Sequence, residues 1–274
     1  MFSMNYLRLG AFFAALLCLT TPANAQMRGW ELGGWVGASN YFGDLNTNWR
    51  LNRLHLHGGI GARYNFNDRL AFKLGFNAGG ISARDSDSKN VYEQRRNLDF
   101  NSLLFDGTAQ FEFNFLPYVH GDRELWYTPY LFLGTSFYYF NPQTDYEGKT
   151  YNLRELGTEG QFHGEEYNTS QGAIAYGFGF KTDLGYRWSV NVELSGRKLF
   201  TDYLDDVSGT YADTRDIRAQ RGEIAAALAD RSVEPKIGDP GRQRGNGKKN
   251  DMYAFLNVGL FYYFGSIRCP GLAR

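Results

Sequence analysis

The sequence predicts an all-β chain closed into an eight-stranded, antiparallel, transmembrane up-and-down β-barrel. Three observations predict it. A unit of about ten residues, apolar at every second position and small or polar between, recurs along the chain. The chain opens on an export signal. The connections between units are alternately short and long. Successive side chains of a strand point to opposite faces, so each unit is apolar on one side and polar on the other. With so many copies behind an export signal, apolar faces outward to lipid and polar faces inward to a lumen is the economical arrangement.

Residues 1–25 read as a signal peptide. Arg8 gives it a positive start, Phe12, Phe13, Leu16 and Leu17 lie at the centre of an apolar stretch, and Ala23-Asn24-Ala25 gives a small-x-small cleavage pattern. The apolar stretch is too short to span a bilayer comfortably. Cys18 follows Leu17 rather than a small residue, which argues against lipid acylation. No later run is long enough for a transmembrane helix, so the expected address is the outer membrane of a diderm bacterium.

The barrel is expected over 26–264. The first strand, 30–41, turns Leu32 and Val36 outward and Glu31, Trp35, Ser39 and Tyr41 inward. The second, 54–66, turns out Leu56, Ile60, Ala62 and Tyr64, and turns in His55, His57, Arg63 and Asn65. A tight turn at Asn67-Asp68-Arg69 leads to the third, 70–80, with Lys73 and Asn77 inward. The fourth, 103–115, is the cleanest: Leu103, Phe105, Ala109, Phe111 and Phe113 alternate with Leu104, Asp106, Thr108, Gln110 and Glu112. The remaining strands are expected at 130–139, 174–183 (Lys181 and Asp183 inward), 188–199 (Glu193 and Arg197 inward) and 252–264. The last closes on the aromatic run Phe261-Tyr262-Tyr263-Phe264. Even strand number and short turns on the periplasmic side put both termini in the periplasm.

The long loops are 141–172 and 201–251 in particular. Within the second, 213–230 has the composition of a short helix, and 232–250, with Pro235, Pro240 and several glycines, reads as mobile. Residues 265–274 form a short periplasmic tail. Aromatics make up 17% of the chain, with 19 Tyr and 22 Phe, as interface girdles require. Lys+Arg and Asp+Glu both number 29, so net charge makes no case for nucleic acid. The mean hydropathy of −0.45 argues against a helical membrane protein but not against a barrel.

The inward charges are Glu31, Arg63, Lys73, Asp106, Glu112, Lys181, Asp183, Glu193 and Arg197. Eight strands enclose an interior just wide enough for side chains to fill, and buried charges need partners, so these are expected to form an ion-paired plug. His55 and His57 share a face, but two ligands do not make a metal site and no Ser accompanies them on their strand. Gly59-Ile60-Gly61 and Gly177-Phe178-Gly179 lie inside strands with no helix following, so they carry no dinucleotide signal and instead relieve crowding. No catalytic, cofactor or metal site is expected. With the leader removed, Cys269 is the sole cysteine, and an odd cysteine in an exported chain suggests an intermolecular disulfide or a free thiol.

The opening of the barrel, Glu31-Leu32-Gly33-Gly34-Trp35-Val36-Gly37-Ala38-Ser39-Asn40-Tyr41-Phe42-Gly43-Asp44-Leu45, resembles that of the PorG family of Bacteroidota outer-membrane barrels, most specifically in its Gly-x-Ser-Asn-Tyr-x-Gly-Asp-Leu portion. The size, the aromatic closing strand and the Cys-bearing tail are also similar. The resemblance implies a non-enzymatic component of the type IX secretion system. Such a barrel ties a periplasmic ring of a PorK-like lipoprotein and PorN-like proteins to the outer-membrane lipid, serving export and, in some species, gliding. A PorK-like lipoprotein is then a plausible disulfide partner for Cys269. The rival reading is a stand-alone OmpA-like or OmpW-like barrel for envelope structure, adhesion or small-solute passage.

Overall fold

The computed structural model describes residues 29–267. The expected leader at 1–25 lies outside them. Alternating side chains build the wall. Its strands are β1 (Gly29–Phe42), β2 (His55–Asn65), β3 (Leu70–Arg84), β4 (Asp99–Asn114), β5 (Tyr127–Tyr146), β7 (Ser170–Asp183), β8 (Trp188–Leu199) and β9 (Met252–Tyr263). A short β6 (Lys149–Asn152) folds back on the end of β5 as a ribbon. The antiparallel ladder runs β4-β3-β2-β1-β9-β8-β7-β5, and pairing of β4 with β5 closes it into an eight-stranded barrel. First and last strands are neighbours, with Glu31 opposite Tyr263.

The outer face is hydrocarbon: Val36, Ile60, Leu103, Phe111, Leu133 and Phe178 are all more than half exposed. A closed barrel has no unpaired strand edge, so such a face suits lipid. The inner face is packed. Gly59 and Gly61 accept the Trp35 indole, and a β-carbon at Gly59 would fall 2.5 Å from Trp35 Nε1.

Two expectations need correction. β3, β4 and β5 run beyond 80, 103 and 139, where the outward positions change from apolar to polar (Ser82, Asn101, Gln143). Hydropathy marks where lipid ends, but the hydrogen-bond ladder continues past it, and the inward positions Ile81, Phe100 and Phe140 stay apolar. The segment 232–250, though mostly exposed, is pinned to the cap at several points. Its glycines and prolines make turns that thread it through a cap. Ser232, Ile237 and Arg244 are buried, and Thr210 bridges Gln243.

That cap covers the long-connection end. It contains α1 (Val91–Arg96), α2 (Leu153–Leu156), α3 (Thr214–Arg221) and α4 (Glu223–Ala229), the last two within the stretch whose composition suggests helix. Ile217, Ala225, Ala226 and Ala229 pack together against Leu156. Beneath them an apolar core fills the barrel mouth, joining strand residues Tyr41, Leu104, Tyr138, Phe140 and Phe255 to loop residues Leu45, Leu153, Leu204 and Val207.

Candidate functional site: the filled lumen and its two closures

Below the aromatic core the lumen is a chain of ion pairs. Arg63 lies 2.8 Å from Glu31 and 2.9 Å from Glu112, all three fully buried. Lys181 joins the same Glu112 at 3.2 Å. Lys73 meets Glu193 at 2.6 Å, and Tyr130 Oη donates to that carboxylate at 2.9 Å. Higher up, Arg197 pairs with Asp106 at 3.2 Å and Tyr253 Oη donates to Asp106 at 2.7 Å. Cations also lie over rings, Arg63 over Phe261 at 4.5 Å and Lys181 over Tyr130 at 4.9 Å. What void remains around Lys73, Gln110 and Asn257 is about 10 Å³, no more than room for a single water.

The short-turn end is closed by the β4–β5 connection. Tyr118 and His120 fold into the mouth and are buried. His120 bridges Glu31 at 3.0 Å and Asp183 at 2.9 Å, and Tyr118 Oη donates to Asp183. Burial opposes a charge on His120, but hydrogen bonds to Asp183 and Glu31 overcome it and raise its pKa to about 9. A protonated His120 also balances the lumen, where Glu31, Asp106, Glu112, Asp183 and Glu193 otherwise face only Arg63, Lys73, Lys181 and Arg197. Its role has no signal in the sequence, because it lies in a turn with no alternation.

The other end is closed by carboxylates. Tyr41 Oη lies 3.0 Å from Asp251 Oδ1 and also contacts Asp205. Asp205 accepts from Leu45 N at 3.2 Å, Asp251 from Leu204 N at 3.0 Å, and Asp44 from Asn246 N at 2.6 Å. Arg96 reaches the Asp44 carbonyl at 2.8 Å while pairing with Asp85. Both carboxylate oxygens of Asp202 are buried without a hydrogen-bond partner. Burial pushes Asp44 and Asp206 up to about 6, and burial with the nearby Asp44 charge pushes Asp202 up to about 8. Asp205 and Asp251 stand well above the usual carboxylate range, through burial first and then a neighbouring carboxylate, Asp44 for Asp205 and Asp205 for Asp251. The segment Asn40 to Leu45 is therefore the clasp of the cap.

His55 and His57 do not form a site. His57 stacks on Phe255 at 4.4 Å with both nitrogens unpartnered, while His55 Nε2 meets Ser82 Oγ at 2.7 Å across the β2–β3 pair. Arg53, the charge nearest His55 in sequence, pairs with Asp87, and among the described residues no carboxylate hydrogen-bonds to His55. Among the described residues no group of three or more His, Cys, Asp or Glu could hold a metal. Cys269 lies outside the described residues.

A family model described as "Domain of unknown function (DUF6089)" matches residues 10–224, well over half of the chain. The chain belongs to the DUF6089 family. Comparison with the curated proteins finds no match. Among solved structures this DUF6089 barrel is similar to Ail, the attachment invasion locus protein of Yersinia pestis, in complex with a heparin analogue (11% identity, 87% of this chain and 99% of that one, TM-score 0.43). It is similar as well to Neisserial surface protein A (11%, 86% and 97%, TM-score 0.43) and to OprG from Pseudomonas aeruginosa (11%, 88% and 99%, TM-score 0.43). The barrel assignment of the DUF6089 chain rests on its closed ladder.

Proposed function

We propose that this chain is an outer-membrane barrel whose work is done at its ends, as a fixed anchor for the periplasmic ring of a type IX secretion system. The observation that carries the reading is the filled lumen: ion pairs occupy it, Tyr118 and His120 stop one mouth, and the cap stops the other. A filled barrel has no route for solute, and among the described residues no nucleophile with an oriented base lines it. What remains is a rigid stake with two end surfaces. The resemblance of its opening segment to PorG barrels supplies the kind of machine. The contact surface on this reading is the β4–β5 turn, where Asp122, Arg123, Glu124 and Trp126 are exposed, together with the tail that carries Cys269. A disulfide from Cys269 to a PorK-like lipoprotein would make a small contact durable.

Co-purification tests this. A tagged barrel extracted in mild detergent should bring down PorK-like and PorN-like proteins, and Arg123→Glu or Cys269→Ser should reduce the yield while the barrel still inserts. A barrel that comes out alone under cross-linking conditions contradicts the anchor. The ordered cap favours one other reading, a stand-alone envelope barrel that meets its partners outside the cell, and an unaltered secretion phenotype on deletion would select it.

A further inference from the structure

A cleft of about 580 Å³ opens in the side of the cap, between the β1–β2 loop, α1 and the last turn before β9. Its height on the wall is fixed by register. Lys198 pairs with Met252, and Met252 with Phe42, so these three outward residues form one row across β8, β9 and β1. Two rows below lie Leu194, Leu256 and Ala38, on the apolar outer face. The cleft therefore sits directly above the hydrocarbon band, at the depth of lipid headgroups.

Its rim is aromatic and cationic. Trp49 takes φ +54°, a left-handed conformation that a bulky side chain rarely adopts. That conformation holds out an indole that is 63% exposed, with its ring centre 4.6 Å from that of Phe42. Lys198 gives one of its three protons to the Asn250 carbonyl at 2.8 Å, leaving two, and Lys249 is exposed beside it. Gln243 and Asn246 tie the cap together through backbone atoms, so their amides are available on the wall. Deeper in, Asp44 and Glu93 are carboxylates, and Arg96 and Arg244 are committed to Asp85 and Glu159. An anion is thus favoured at the mouth and opposed at the floor, where groups that donate hydrogen bonds are preferred.

Resting on the outer-membrane reading above, we propose that this cleft binds a phosphorylated saccharide, with the phosphate on Lys198 and Lys249, a sugar face on Trp49 and hydroxyls toward the amides and the floor. An indole offers a flat apolar plate for the C–H face of a sugar, amides offer paired donor and acceptor for hydroxyls, and ammonium groups bind phosphate as point charges. The source on hand at that depth is a glycolipid headgroup of the outer leaflet, whose acyl chains would run down the Leu194–Leu256–Ala38 face. A soluble sugar phosphate shares the chemistry.

The test uses the full chain folded into phosphatidylcholine vesicles with and without lipopolysaccharide, read by tryptophan fluorescence. Trp49 lines the cleft, so lipopolysaccharide should shift the emission, and Trp49→Phe should abolish that shift while folding is unchanged. Lys198→Ala with Lys249→Ala should weaken binding about tenfold or more, and Lys198→Glu alone should do the same if the double variant folds poorly. A shift produced by millimolar glucose 1-phosphate in plain vesicles assigns the site to a soluble sugar phosphate, and a shift with lipopolysaccharide alone assigns it to the glycolipid. Equal binding of dephosphorylated lipopolysaccharide, or no shift with any of these probes, overturns the proposal. Failure to enter vesicles at all overturns the membrane reading instead.

Discussion

Tyr41 Oη stands 3.0 Å from Asp251 Oδ1 while the same oxygen contacts Asp205. A phenol carries one proton and can donate to only one of two carboxylates. The other contact is favourable only if that aspartate is itself protonated and donates to the phenol oxygen. The clasp of the cap therefore holds a carboxylic acid at neutral pH, which agrees with the raised positions of Asp205 and Asp251.

The pH dependence of the cap follows. A carboxyl raised in the folded state stabilises it fully below its ordinary pKa near 4 and loses that contribution as pH climbs through the folded value. Asp44 and Asp206 place the first loss at about 6, and Asp202 a further one at about 8. Protection factors of amides in 200–251, taken against the intrinsic exchange rate at each pH, should therefore fall by about tenfold or more between pH 5 and pH 9 while those of the strands hold. Asp202→Asn should blunt the change. Protection factors that do not change with pH would show that no cap carboxyl is linked to cap stability in this range.

Gly43→Ala tests the clasp sterically. An added β-carbon would fall 1.9 Å from Asp251 Oδ1 and 2.1 Å from Tyr41 Oη, inside a packed site. Forced overpacking of this kind costs about 1–3 kcal/mol. Protease should cut the cap of the variant sooner, with the barrel still resisting heat in detergent. Unchanged cap cleavage would show that the clasp has slack.

The other mouth depends on His120. Replacing it with Ala leaves Glu31 and Asp183 without their shared cation, and breaking a buried pair costs about 3–5 kcal/mol. Urea unfolding from vesicles should show that loss at pH 6. The raised pKa makes the stabilisation complete below the ordinary histidine value of about 6.5 and lost as pH rises through about 9. Wild type and His120→Ala should therefore converge in alkali, and a gap independent of pH would assign His120 a packing role only.

Much of this is legible in the sequence. Period-two alternation placed all eight wall strands and told their faces apart, because lipid and lumen impose opposite chemistry on neighbouring residues. Three things were not legible. The ends of β3, β4 and β5 escaped because above the lipid their outer face meets water. The cap escaped because its order comes from contacts between distant loops, such as Asn246 with Asp44, that no local pattern encodes. His120 escaped because a turn has no periodicity to say that it points inward.

The depth of the apolar band can be checked by one comparison. Leu133→Arg, on the exposed outer face, should cost about 2–4 kcal/mol in folding titrations, and Asn101→Arg, above the band, about 0–1. Equal costs would mean that the band is misplaced.

The most direct test of a barrel stopped at both ends is electrical. Purified wild-type protein is inserted into planar bilayers and recorded at neutral pH, with insertion verified by protease protection of the strands. The ion pairs around Arg63 and Glu112, the His120 stopper and the cap predict a flat baseline with no stable conductance steps. Reproducible single-channel steps from the inserted protein would contradict a filled lumen, and with it the argument that this barrel acts only through its ends.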